Sequence, residues 1–229
     1  MALTGMQIYK SLPRTNCKEC GFPTCMAFAM QVAAKQKALS DCTQITDDAQ
    51  SVLAEASAPP MKLVKIGKEG KQFVLGQETV MFRHEEKFHH ASGLAVKIPA
   101  SLTDDEVSAK VTAINNAVFE RVGDKLKVEL CAVYVDGCND PGGRAKQVAE
   151  KSNVPVIIVG NNAGSVKSAV EAISSERPLI YRTDASNIDD FADIAASAKT
   201  PLAVMSDDLE QAAELTQKAK SKGVEELIL

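Results

Sequence analysis

Long apolar runs are missing from this 229-residue chain. No stretch reaches the roughly 20 residues needed to cross a bilayer as a helix. Met1 to Lys10 lacks the basic flank and apolar run of a secretory signal. These absences make a cytoplasmic protein without membrane contact the expectation. An excess of positive charge is missing as well: 26 Lys and Arg against 30 Asp and Glu give a net charge of −4. No diffuse positive field is available to hold nucleic acid or an anionic lipid surface. A phosphate loop is also absent. Gly160-Asn161-Asn162-Ala163-Gly164 and the stretch from Gly137 to Arg144 both lack the Gly-Lys-Ser/Thr ending, so neither supports nucleotide binding.

What is present divides into three regions. A head rich in Cys, Ala and Met runs to the Ala-Ser-Ala-Pro-Pro break at Ala56 to Pro60, which sets a first domain at 1–58. From 59 to 92 the apolar pieces are short: Leu63 to Ile66, Gln72 to Leu75 and Thr79 to Phe82, separated by Gly67, Gly70 and Gly76. This pattern predicts a linker with a small hairpin or meander. A third domain, 93–229, alternates strand-like runs with amphipathic segments.

Those runs are Leu94 to Ile98, Val128 to Val135, Val154 to Val159, Leu179 to Tyr181, Leu202 to Met205 and Leu227 to Leu229. Near-continuous Val, Ile and Leu suit strands covered on both faces, and intervening helices make parallel β/α units. Thr103-Asp104-Asp105-Glu106 predicts a capping box before a helical stripe of Val107, Val111, Ile114 and Val118, and Ser206-Asp207-Asp208 marks another helix start. The fold expected is α/β, a TIM-type (β/α) barrel left incomplete. A full barrel takes eight strands and about 250 residues, whereas this region offers six runs. A missing segment or a partner is therefore expected to complete the sheet.

Six cysteines in a chain with no export signal point to ligands or buried thiols rather than disulfides. Four of them follow the spacing Cys17-x2-Cys20-x4-Cys25-x16-Cys42. Three ligands from a tight loop and one from a returning segment suit a [4Fe-4S] cube, whose corners each take one thiolate. Gly21 and Pro23 shape such a loop. No histidine stands at ligand spacing and there is no second Cys-x2-Cys pair, features that structural zinc sites usually carry. An irregular zinc knuckle and four buried thiols are the alternatives. Chain reach adds a constraint. Thr24 opens a helix with Phe28 and Val32 on its apolar face, yet Cys42 must come back to Cys25. With a rise of about 1.5 Å per helical residue and at most about 3.4 Å per extended one, that helix cannot exceed roughly 13 residues. It is predicted to turn back near Lys35 to Lys37; a straight helix reaching Leu39 would rule out a four-ligand site.

Leu3-Thr4-Gly5-Met6-Gln7-Ile8-Tyr9-Lys10-Ser11-Leu12-Pro13 leads into the cysteine loop, and Cys25-Met26-Ala27-Phe28-Ala29 follows it. Ala58-Pro59-Pro60 and Gly76-Gln77-Glu78-Thr79-Val80-Met81-Phe82-Arg83-His84-Glu85 continue the pattern. Together these resemble the large (gamma) subunits of corrinoid iron-sulfur proteins of the reductive acetyl-CoA pathway, part of acetyl-CoA decarbonylase/synthase complexes. The resemblance covers essentially the whole chain. The cysteine motif is shared with electron-transfer subunits of other redox complexes; the Phe-Arg-His-Glu segment is what singles out this family.

The resemblance implies an iron-sulfur domain, a TIM barrel and a downstream cobalamin-binding domain, in heterodimeric association with a barrel-shaped small subunit. It implies a methyl group passing from methyltetrahydrofolate, through a separate methyltransferase, to cobalt and on to acetyl-CoA synthase. With a reductive activator among the partners, the cluster returns Co(II) to Co(I). Matched residue by residue, its ligands fall on Cys17, Cys20, Cys25 and Cys42. No cobalamin-binding residue has a counterpart in this sequence. A stand-alone ferredoxin-like electron carrier fused to an α/β domain is the competing expectation.

Other candidates carry less. His84, His89 and His90 lie near Glu85 and Glu86, and His84 is read as a structural hydrogen-bonding residue. Cys131 sits inside an apolar run and is expected to be a buried thiol, with Cys138 more exposed. Asp136 and Asp140 share a strand-end loop, where acids are usually solvated turn residues. No catalytic residue is assigned. Met26 and Met30 are read as packing near the cluster.

Overall fold

Thr4 and Gln7 close a capping box at the start of α1 (Gly5–Ser11): the Thr4 hydroxyl accepts from the Gln7 amide at 3.4 Å, and the Gln7 side-chain oxygen accepts from the Thr4 amide at 2.8 Å. The computed structural model describes residues 4–34, 36–37, 39–46, 61–78, 80, 82, 84–85 and 87–229. The Ala56 to Pro60 break, Lys35, Thr79, Met81, Arg83 and Glu86 lie outside them. Two compact units result, one made of Met1–Met61 with Glu78–Glu86, the other of Lys62–Gln77 with Lys87–Leu229. The stretch 59–92 is thus shared between both.

In the first unit, α2 (Cys25–Ala33) is capped by the Thr24 hydroxyl, which accepts from the Ala27 amide at 3.1 Å. Gly5 lets α1 approach α2 closely, since a β-carbon there would stand 2.4 Å from the Met30 sulfur. Ile8, Leu12, Phe28 and Ala29 fill the space between the helices. Phe28, 1 % exposed, contributes on the order of 2 to 3 kcal/mol by its burial.

In the second unit, all six predicted runs are parallel strands: β3 (Ala95–Ile98), β6 (Leu130–Tyr134), β7 (Val156–Val159), β8 (Leu179–Thr183), β9 (Leu202–Val204) and β10 (Leu227–Ile228). They form one sheet in the order β10-β9-β8-β7-β6-β3. Neighbours in the sheet succeed one another along the chain, the progression of a TIM-type barrel rather than of a doubly wound sheet, and β3 and β10 are its two edges. Helices α3 (Asp104–Asn116), α4 (Pro141–Lys151), α5 (Ala163–Ala172), α6 (Ile188–Ala198) and α7 (Leu209–Ser221) bury their apolar stripes against it. Val111, Val133, Val148, Ile158, Ile180 and Phe191 lie at the centre of that core. The expected Thr103/Glu106 capping box opens α3, and Asp208 caps α7.

The inner face of the sheet alternates with the outer one. At its N-terminal end Leu130, Leu179 and Ala203 are covered by Ile66 of β1 (Val64–Ile66), with Phe73 and Leu75 of β2 (Phe73–Leu75) alongside. This predicted hairpin is pinned by the Gly67 amide donating to the Arg177 carbonyl at 2.9 Å and the Lys71 ammonium donating to the Ala149 carbonyl at 3.0 Å. The third short piece does not continue it as a strand: Val80 and Phe82, its described residues, are irregular.

One helix reading needs correction. The stripe expected to include Val118 stops at Ile114, because α3 ends at Asn116 and Val118 opens β4 (Val118–Arg121), paired antiparallel with β5 (Asp124–Lys127). The signal was available in Arg121-Val122-Gly123-Asp124, a two-residue turn between alternating residues. A β-branched residue in place of the usual Asn or Asp obscured it.

Candidate metal centre

The loop from Leu12 to Thr24 is shaped by backbone that few residues adopt. Arg14, Asn16, Lys18 and Gly21 all have positive φ, at 58°, 47°, 67° and 83°. Turning the chain so often in so short a span packs Cys20 against the buried cluster that holds Cys25 at the start of α2. The Asn16 side-chain oxygen accepts from the Cys25 amide at 2.8 Å, tying the entry of the loop to the third cysteine. Gly21 donates its amide to the Lys18 carbonyl at 3.0 Å and has open space around it.

The return segment meets the length constraint. Helix α2 ends at Ala33, short of Leu39, and the Gln36 amide turns back onto the Gln31 carbonyl at 2.9 Å. A 3-10 turn at Leu39–Asp41 then delivers Cys42. Cys25 and Cys42 enter the same buried cluster as Ile8, Leu12 and Phe28, with Cys20 and Phe22 packed against it. Cys17 is exposed on the loop.

Glu19, between the first two cysteines, accepts from the Thr43 hydroxyl and, at 3.2 Å, from the Gln44 side-chain amide. The hydrogen bond from Thr43, then that from Gln44, holds its carboxyl below the usual range. This contact binds the cysteine loop directly to the residues after Cys42. Sequence reasoning missed Glu19, Asn16 and Thr43, since nothing local announces a carboxylate and a hydroxyl 24 residues apart as partners.

The donor chemistry fits an iron-sulfur cluster: four thiols, three of them in or against one apolar cluster. Among the described residues, no three His, Cys, Asp or Glu side chains converge tightly enough to clasp a single metal ion. A cube takes one thiolate at each of four separate irons, so its ligands stand further apart than those of one ion.

The remaining candidates have structural partners. Cys131 is fully buried, 3.7 Å from the Ser152 hydroxyl, and burial pushes its thiol pKa up. Cys138 is half-buried, with its sulfur 3.5 Å from the Tyr134 carbonyl; burial raises its pKa against the opposing pull of Arg144. Asp136 accepts from the Asn161 and Asn162 amides at 2.6 and 3.2 Å, and Asp140 caps α4 by accepting from Gly143 at 2.8 Å. Asn162 caps α5. His84 stacks on Phe82 with ring centroids 5.6 Å apart. No helix among the described residues is long and apolar enough to cross a membrane.

Comparison with known proteins places this architecture. A family model described as CO dehydrogenase/acetyl-CoA synthase delta subunit matches residues 63–229, and an Fe-S cluster model matches residues 12–44. The corrinoid/iron-sulfur protein large subunit of Moorella thermoacetica is 34% identical over 232 residues, covering 100% of this chain and 52% of the relative. The acetyl-CoA decarbonylase/synthase complex subunit gamma of Methanothermobacter thermautotrophicus is 32% identical over 231 residues, covering 100% of this chain and 50% of the relative. That of Methanopyrus kandleri is 33% identical over 221 residues, covering 95% and 48%. The chain spans about half the length of these relatives. It belongs to the CO dehydrogenase/acetyl-CoA synthase delta subunit family, as a relative of the gamma, or large corrinoid/iron-sulfur, subunits.

Proposed function

We propose that this chain is the iron-sulfur part of a corrinoid methyl-carrier subunit, with Cys17, Cys20, Cys25 and Cys42 as ligands of a [4Fe-4S] cluster. When bound, that group supplies single electrons, which return inactive Co(II) to Co(I) on the corrinoid of the complete protein. The observation that carries this reading is the meeting of the loop and the return segment: Cys25 and Cys42 share one apolar cluster with Cys20 against it, and Glu19 ties the loop to the residues after Cys42. Asn16 and the capped start of α2 orient Cys25, and the surrounding Ile8, Leu12 and Phe28 keep water from the buried thiolates.

The small subunit, a methyltetrahydrofolate methyltransferase, acetyl-CoA synthase and a reductive activator are the partners that this role requires. The test uses the complete protein with Cys20→Ala. Reductive reactivation of cobalt is expected to be lost, while methyl transfer from protein reduced beforehand persists. Equal loss of both would overturn the electron-supply role. Iron and sulfide analysis after anaerobic purification, with absorbance near 400 nm, tests the ligand set itself; zinc in place of iron would refute it.

A further inference from the structure

Between α3 and β6 the chain makes an excursion, Val118 to Lys127, that stays exposed throughout. Every residue of β4 and β5 is exposed, and with the turn between them they present Val118, Phe119, Val122 and Leu126 to solvent at 57%, 63%, 96% and 46% exposure. An isolated two-stranded hairpin is marginal in water. Large apolar side chains gathered on one mark a surface that another molecule covers. The turn is strained too: Val122 holds φ 54° beside Gly123 at 85°, a left-handed pair that Asn-Gly adopts easily and a β-branched residue does not.

The register says which molecule fits. Arg121 pairs with Asp124 across the two-residue turn, and Phe119 with Leu126. These are the hydrogen-bonded pairs, so Lys125 and Lys127 turn their N–H and C=O groups outward along the edge of β5, which no other strand covers among the described residues. Their side chains share one face, and Leu126 lies on the other beside Phe119. A second copy is a poor occupant: two-fold antiparallel pairing on this edge would set Lys125 opposite Lys125 or Lys127 of the copy, like charges directly across. A strand with two acidic residues flanking an apolar one satisfies both faces at once.

We infer that the free edge of β5 takes up an extended acidic-apolar-acidic segment of a partner protein as a third strand. Backbone pairing supplies the affinity and the two lysines the choice. The test titrates the full chain, labelled with nitrogen-15, with a short capped peptide of alternating Glu and Val, and separately with its Lys-Val counterpart. The Lys125 and Lys127 amides are expected to shift and to gain exchange protection with the glutamate peptide, bound roughly tenfold or more tightly than the lysine one. Lys125→Glu combined with Lys127→Glu is expected to reverse that preference; both positions are exposed, and an unchanged circular dichroism spectrum confirms the fold.

Silence of these amides, equal binding of the two peptides, or an unreversed preference in the double variant would overturn the inference. So would a response of the hairpin amides to phosphatidylglycerol vesicles but to neither peptide, or to rising protein concentration alone.

Discussion

Thr43 donates its hydroxyl to the Glu19 carboxylate, a contact across 24 residues that joins the loop of the first two cysteines to the segment carrying the fourth. Accepting from both Thr43 and Gln44 favours the ionised carboxylate, and these two bonds keep its pKa below the ordinary range. A depressed folded pKa contributes stability that is present above the unfolded pKa, about 4.3 for Glu, and is lost as pH falls through the folded value. Extraction of iron by a chelator is therefore expected to accelerate on acidification more steeply in the native chain than in Glu19→Gln. At neutral pH the variant should release iron roughly two- to fivefold faster, the range of an exposed charged contact. Identical pH profiles for the two proteins would refute the role.

Asn187 braces an irregular strand end. Between Ile180 and Thr183 two residues of β8, Tyr181 and Arg182, oppose one of β9, Ala203, so the ladder carries a bulge. Within it Arg182 holds φ 79°. The Asn187 side chain donates to the Arg182 carbonyl at 3.1 Å and accepts from the Asp184 amide at 2.8 Å. At 8 % exposure, Asn187→Leu leaves both backbone groups unpaired. A loss of about 1 to 3 kcal/mol in denaturant unfolding is expected.

Thr183, in the same bulge, is fully buried and its hydroxyl has no hydrogen-bond partner among the described residues. A buried hydroxyl left unpaired costs about 1 to 3 kcal/mol on mutational scales. Thr183→Val keeps the shape and removes that cost. The variant is expected to unfold at a denaturant midpoint equal to or above that of the parent; a clear decrease would show that the hydroxyl has a stabilising role.

Val122→Asn converts the strained turn into Asn-Gly. Relief of a left-handed β-branched residue is worth about 1 kcal/mol, which corresponds to roughly fivefold slower exchange of the Phe119 and Leu126 amides that close the hairpin. Hydrogen exchange followed residue by residue checks this, because a hairpin with both strands exposed leaves the global unfolding midpoint unchanged.

Periodicity and spacing made most of the architecture legible. Unbroken Val, Ile and Leu runs announced six parallel strands, and each formed, because a strand covered on both faces admits little else. Thr103 and Glu106 announced the start of α3 because a capping box is satisfied within four residues. That α2 stops short of Leu39 followed from reach, as a chain of fixed rise cannot both continue and return. The four cysteines, too, were plain in their spacing. What only the tertiary structure decided are relationships between residues distant along the chain: Glu19 with Thr43, Ile66 over Leu130, and Asn187 used to brace a bulge rather than to cap α6. Hydrogen bonds of this kind leave no periodic trace. The exposed hairpin escaped because Val118 keeps the spacing of the α3 stripe, yet it opens β4 and stays exposed beyond the helix end at Asn116.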